Sequence, residues 1–543
     1  MTMAKGAPGK CLVIQEARFG DLIQSKPLLD HLSRNGECRR VLLVRPGAEE
    51  AARSLSLAEE VRVWPSFGDP EKDLSLVSRI GEGRDFVTGL RQEGFDRVVV
   101  MNHHGTGIAL ARLLGIPLSG FDRVFDRKNK EGEPDHLSGW PGYLVASSRG
   151  IRAINRIHLS DMWLGFGKTE KEEGIACSEA VFTPEKKNPH GPVVVVLGGR
   201  SPYRRWDREP LSQLIRSLRR VDGGPVVLTG GPEDAALGES LARECGEGVE
   251  NMAGRTGISD LSGLVSSAGA VVSPDTASLH LAAALGVPTV GLFFASALPF
   301  ETGAYRQGAL SIVTSMDCYP CAGEGSSCAH RSCRSHPEPV VLAEIVSAVK
   351  RGMNGQDLVG NMWGKMTGVE LWQAQWTSSG LVQRVLTPRL LTRERVLARL
   401  LRRFVWRYLN GVTLFPDIET ELSWEGTGIA DDREALNGAF RPQADWSLWF
   451  MRLERGVGLY SRLRERDLQG FERKKLVDRL ASEFPMIWPV LHHLEWVEGG
   501  AGPQDRLTLA AGSLAREAVQ VSGLMEKRRG VASLEKGRVH VAV

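Results

Sequence analysis

The 543-residue sequence carries 68 basic and 65 acidic side chains, a formal charge of +3, with 42% hydrophobic and 24% charged residues. That near balance gives no electrostatic reason for a nucleic-acid partner, and the length predicts two or three domains rather than one core. The opening MTMAKGAPGKCLVIQ lacks the apolar stretch of a signal peptide, and no run of about 18 apolar residues is present, so a cytoplasmic chain with reduced cysteines is expected.

In chain order, Lys10–Gln15 is a short apolar run, followed by a loop over Glu16–Gly20 and a helical pattern from Asp21. Further apolar runs follow at Val41–Val44 and Arg97–Met101. The same grammar restarts at Pro192–Leu197, Pro225–Thr229, Ala270–Ser273 and Pro288–Phe293. Short apolar runs alternating with helical stretches predict parallel sheets covered on both faces, here twice over. The expected domains are 9–166, a charged linker over 167–190, and 191–352. Beyond them lies a mainly α-helical, Trp-rich extension over 356–543, which holds nine of the 13 tryptophans. Within it, Val396, Leu397, Leu400, Leu401, Phe404, Val405 and Tyr408 form a helical stripe. The surrounding arginines (Arg393, Arg395, Arg399, Arg402, Arg403, Arg407) read as a solvated face, with an anionic membrane surface as the alternative.

Several segments carry candidate chemistry. Asp21 sits where the first strand gives way to its helix, and so at the carboxyl edge of a sheet; a helix N-cap explains it as well as a catalytic carboxylate does. In Leu197-Gly-Gly-Arg-Ser-Pro-Tyr-Arg-Arg-Trp206, Gly198 and Gly199 offer backbone N–H groups and Arg204 and Arg205 offer charge to a diphosphate. Thr229 and Gly230 open a turn leading to Asp234, which is either a ribose-binding carboxylate or another cap. Pro274-Asp275-Thr276-Ala-Ser-Leu-His280 begins a small-residue helix, a setting for anion binding by Thr276, free N–H groups and His280. Cys318, Cys321, Cys328 and Cys333, within a loop spanning 318–336 and near His330 and His336, have spacing that suits structural zinc. Free thiols and an iron–sulfur cluster remain open for the same four residues.

These elements together resemble glycosyltransferase family 9, the heptosyltransferases. The Arg18-x-Gly20-Asp21 opening, the basic pair before Trp206, the Gly-x-Pro-x-acidic turn and Asp275-Thr276-x-x-x-His280 carry the resemblance, which covers roughly residues 9–352. It implies a GT-B fold of two Rossmann-like domains and inverting transfer of heptose from ADP-heptose to a lipopolysaccharide core acceptor. By position it makes Asp21 the base, with Arg18, Gly20 and His104 on the acceptor side. The donor would meet Gly199, Arg204, Arg205, Thr229, Gly230, Asp234, Asp275, Thr276 and His280. It implies no cofactor for the chemistry. A lipid-linked acceptor would favour peripheral contact with the inner face of the inner membrane. One departure stands out: the signature glycine is Ala277, which would alter donor affinity or identity if that position needs a positive φ or the missing methyl's space. Two alternatives follow, the same fold with another nucleotide sugar or a protein or surface-glycan acceptor, and a non-catalytic nucleotide-binding scaffold.

Overall fold

A computed structural model of the chain describes residues 9–33, 38–65, 76–123, 139–148, 152, 155–167, 188–199, 201–316, 318–321, 328, 331–362, 365–366, 368–377, 379–387, 390–391, 395, 398–399, 401–403, 405–406 and 428–429. They fall into two compact units, one comprising 1–137, 158–170 and 178–376, the other 138–157, 171–177 and 377–543.

The first unit holds both expected Rossmann-like sheets. One is built from β1 (Gly9–Gln15), β2 (Cys38–Val44), β3 (Glu60–Val63), β4 (Arg97–Val100) and β5 (Leu118–Gly120), all parallel, in the order β3-β2-β1-β4-β5. Helices α1 (Phe19–Gln24), α2 (Lys26–Leu32), α3 (Glu49–Ser54), α4 (Leu76–Gln92) and α5 (Gly105–Leu114) connect these strands. Further on, α6 (Gly139–Ser147) groups with the second unit, whereas α7 (Leu159–Leu164) returns to the first. Part of the expected 9–166 domain therefore belongs elsewhere.

The second sheet contains β6 (Val193–Val196), β7 (Val226–Thr229), β8 (Val249–Asn251), β9 (Ala270–Pro274), β10 (Thr289–Phe293), β11 (Leu310–Thr314) and β12 (Val369–Thr377), in the order β12-β11-β10-β9-β6-β7-β8. Its helices are α8 (Arg208–Val221), α9 (Ala235–Cys245), α10 (Ile258–Ser267), α11 (Ala277–Ala284), α12 (Pro299–Thr302), α13 (Pro339–Lys350) and α14 (Gly355–Met362). All four valines of β6 are buried, as a strand covered on both faces requires. On α8, Leu211, Leu214, Ile215 and Leu218 are buried at helical spacing while Arg219 and Arg220 close its last turn.

The extension differs from expectation. At its start Gly355–Met362 is helical, and β12 then pairs antiparallel with β11, so the second sheet continues beyond residue 352. Trp372 and Trp376 belong to this strand; Trp372 is buried against the Phe300 ring and Trp376 meets Tyr305 edge-on. In the second unit β13 (Gly380–Val385) is also a strand, and β14 (Leu390–Leu391) pairs with β15 (Gly428–Ile429).

The arginines near 400 do not form a solvated face. Arg399, Arg402 and Arg403 are buried beside Leu401, Val405 and Trp406. Arg399 donates to the Gln383 carbonyl at 2.7 Å and Arg402 to Ser379 Oγ at 2.9 Å, bonds that repay part of the desolvation of each guanidinium. Periodicity marked the apolar stripe, but long arginine stems pack in the same interior once a carbonyl partner is supplied. Residues 168–187 of the 167–190 linker, residues 407–427 and residues 430–543 lie outside the described residues.

Candidate active site

In each sheet the strand order reverses beside the first strand, between β1 and β4 and between β6 and β9. Ligands of open α/β sheets bind at the carboxyl ends of strands at such points. The loop after β1 and the first turn of α1 carry Arg18–Asp21, the loop after β6 carries Gly198 and Gly199, and the loop after β9 carries Asp275 and Thr276. These three loops line one cleft of about 960 Å3.

Of the residues read from sequence, Arg18, Gly20, Asp21, Gly199, Arg204, Thr229, Gly230, Asp234, Asp275, Thr276 and His280 line it. Arg205, His104 and the four cysteines are not in that lining. His104 is instead the exposed N-cap of α5, its ring stacked on His103 at 5.5 Å. Sequence reasoning passed over Tyr203, Glu233, Ile258 and Leu261, which also face the cleft.

Asp21 is the third residue of α1 and not its cap, which is Arg18. Burial pushes its carboxyl above the ordinary range, Arg18 opposes the shift, and the charge of nearby Asp275 adds to it. The loop bearing it is anchored from behind: buried Glu16 accepts from Thr106 Oγ1 at 2.9 Å and from the Gly107 N–H at 3.1 Å. The Glu16 N–H in turn donates to Asn102 Oδ1 at 2.6 Å. Gly20 sits against α11, where an added Cβ would lie 3.4 Å from His280 Cδ2 and 3.5 Å from Ala277 Cα. The acceptor-side loop and the donor-side helix are therefore in close approach.

On the donor side, Arg204 donates to Asp275 Oδ2 and to Ser296 Oγ, both at 3.1 Å, while its side chain stays about a quarter exposed to the cleft. Thr276 is the N-cap of α11, its hydroxyl 2.9 Å from Ser273 Oγ. His280 Nε2 lies 3.9 Å from Asp275 Oδ1, but burial lowers the imidazole to about 4, so at neutral pH it faces the cleft as a neutral hydrogen-bonding group and the contact is no ion pair. Ala277 is the first residue of α11, with helical backbone, and needs no positive φ. Of the two reasons for a glycine there, only the space taken by its methyl remains.

Asp234 takes the capping alternative and also lines the cleft. It is 2% exposed, accepts from the Gly231 N–H at 2.9 Å, and holds Arg205 Nη1 at 3.0 Å. Arg205 also donates to the Gly199 carbonyl at 2.5 Å. Asp234 and Arg205 thus brace the glycine turn from beneath, and the exposed acidic side chain in the cleft is Glu233. Gly198 makes room for this carboxylate, since a Cβ there would stand 1.7 Å from Asp234 Oδ2.

The halves also meet behind the cleft. His158 Nδ1 accepts from the Ser160 N–H, which leaves Nε2–H to donate to the Gly303 carbonyl at 2.8 Å. Tyr305 OH donates to Asp161 Oδ1 at 2.6 Å. The four cysteines are neighbours: burial raises the Cys321 and Cys333 thiols, and the other thiols' charges raise them further. A set of four thiols suits zinc, yet among the described residues no three His, Cys, Asp or Glu side chains converge closely enough to hold a metal ion.

Residues 84–331 match the family described as glycosyltransferase family 9 (heptosyltransferase). That match covers a little under half of the chain. Lipopolysaccharide heptosyltransferase 3 of Escherichia coli K12 is 34% identical over 107 residues, 19% of this chain and 31% of that protein. Lipopolysaccharide heptosyltransferase 2 of the same strain is 26% identical over 241 residues, 41% of this chain and 66% of that one. Lipopolysaccharide heptosyltransferase 1 of Pseudomonas aeruginosa is 25% identical over 327 residues, covering 58% of this chain and 86% of its own length. The chain thus spans less than two thirds of the first two relatives. The matched range takes in the donor loops, whereas Asp21 precedes it.

Proposed function

We propose that this protein is an inverting glycosyltransferase that moves heptose from ADP-heptose to a lipopolysaccharide core acceptor. The observation that carries the reading is the single cleft in which Asp21 from one sheet faces Arg204, Asp275, Thr276 and His280 from the other. The relatives' names supply the sugar class and the acceptor class.

In this mechanism the bond between the anomeric carbon and the diphosphate oxygen breaks, and the acceptor oxygen bonds to that carbon from the opposite face. The acceptor proton passes to Asp21, whose burial makes it a stronger base than a solvated carboxylate. The departing diphosphate takes up the bonding pair. Its charge meets Arg204, the free N–H groups at the start of α11 and the neutral imidazole of His280, which donates a hydrogen bond without adding charge. No step is assigned to a metal. Zinc on Cys318, Cys321, Cys328 and Cys333 is proposed as a structural tie alone, one that would draw these thiols closer together than they stand here, tested by the metal content of the purified protein. Among the described residues no helix is long and apolar enough to cross a membrane, and a lipid-linked acceptor would be met from the cytoplasmic face of the inner membrane.

Incubation of the purified protein with ADP-heptose and heptose-deficient core lipid, followed by mass spectrometry, tests the proposal. A mass gain of one heptose that vanishes in Asp21→Ala is the expected result; no gain with any nucleotide sugar sinks it. Ala277 in the cleft lining motivates a second reading, another nucleotide sugar on the same machinery. Turnover of a different donor in preference to ADP-heptose would establish that reading.

A further inference from the structure

The cysteine-rich loop grips the segment that carries Arg204 and Arg205. Trp206 Nε1–H donates to the Arg334 carbonyl at 2.5 Å. Arg334 Nη1 donates to Asp207 Oδ1 at 2.7 Å and to the Arg205 carbonyl at 3.3 Å. The Arg331 guanidinium lies over the Tyr203 ring, 5.6 Å from its centroid. Residues 203–207 are therefore held from one side at four points.

Two features argue that this grip sets the position of the arginines. The 3-10 turn Pro202–Arg204 has no buried residue and no side-chain cap, so it owes little of its placement to a core of its own. Its partners are well fixed: Arg334 is 6% exposed and Trp206 4%, which shields the bonds between them from water. Arg331 holds a left-handed backbone, φ 49°, costly for any residue but glycine. That conformation turns its side chain onto Tyr203 while its N–H donates to Cys328 Sγ at 3.4 Å.

We propose that Arg334 is a positioning residue for donor binding, acting through Arg205 and Trp206 to hold Arg204 at the donor's phosphates. Arg334 is outside the cleft lining, so its effect reaches the ligand only through that segment. The inference rests on the donor reading of Arg204 given above.

The test is calorimetric titration of the full chain with ADP, for the wild type, Arg204→Ala, Arg334→Ala and the double variant, each checked by thermal unfolding. Arg204→Ala and Arg334→Ala should each weaken ADP binding about tenfold, the size of a lost charge-assisted bond. The double variant should bind no more weakly than Arg204→Ala alone, because Arg334 acts through Arg204. Arg334→Lys, which restores the charge at Asp207, should recover part of the affinity. Wild-type ADP affinity in Arg334→Ala, or losses that add in the double variant, would overturn the proposal. Unchanged affinity in Arg204→Ala would bring down the donor reading itself, and this inference with it. Should Arg334→Ala not fold, Asp207→Asn carries the test: weaker ADP binding supports the proposal and unchanged binding refutes it.

Discussion

Replacing Gly198 by alanine puts a methyl carbon 1.7 Å from Asp234 Oδ2 and 2.4 Å from its Cγ. Nothing so close is tolerated, and the carboxylate must retreat by more than about an ångström. Gly231 N–H and Arg205 would then lose their acceptor together. Each bond to a charged group contributes about 1.5–3 kcal/mol, with Arg205 discounted because its side chain is 27% exposed. The expected loss is about 2–4 kcal/mol, or roughly 5–10 °C in the melting temperature of this domain. Calorimetry of Gly198→Ala, Asp234→Ala and the double variant measures it. If the clash is the cause, Gly198→Ala costs little once Asp234 is truncated, and the two losses fail to add. An equal cost in both backgrounds would refute the reasoning. Gly199→Ala, where the added carbon would meet the Thr276 methyl at 3.0 Å, serves as the milder comparison.

Asp21→Asn should abolish transfer while leaving ADP affinity unchanged. Because burial raises the folded Asp21 carboxyl above its unfolded value, its contribution makes stability fall as pH rises from the unfolded value, near 3.9, through the raised one. Urea unfolding over that window should show this slope diminished in Asp21→Asn, and an unchanged slope would contradict it. His280, held neutral down to about pH 4, predicts ADP affinity without an inflection near 6.5 that depends on this residue. An inflection there that disappears in His280→Gln would show that the imidazole binds as a cation. Tyr305→Phe removes the bond to buried Asp161 and should cost about 1–3 kcal/mol, read as a lower melting temperature. A melting temperature equal to wild type would mean that this bond does not hold the two halves.

The central strands were legible because a strand buried on both faces must be a run of apolar residues, as at Leu12–Ile14 and Val193–Val196. Their carboxyl ends follow directly, which is why the sequence alone places Asp21, Gly199, Asp275 and Thr276 at one cleft, where the structure has them. The edge strands Glu60–Val63, Leu118–Gly120 and Val249–Asn251 escaped notice because three or four residues, partly exposed, carry no periodicity. Val369–Thr377 was mistaken for the start of a helical extension, since a tryptophan-rich segment does not reveal whether it will complete a sheet.

The order of sheets and loops, and the residue types delivered to the cleft, were thus determined by sequence alone, since local periodicity and turn chemistry fix them. Which carboxylate is open and which is consumed was decided only by tertiary structure. Asp234 and Glu233 are adjacent in the chain and chemically alike. Arg205, Gly198 and Gly230 nevertheless close around one and leave the other exposed. Arg399 and Arg402 make the same point, since a carbonyl and a serine distant along the chain turn expected surface charges into interior ones. Burial depends on what the rest of the chain brings alongside, and no local pattern records it.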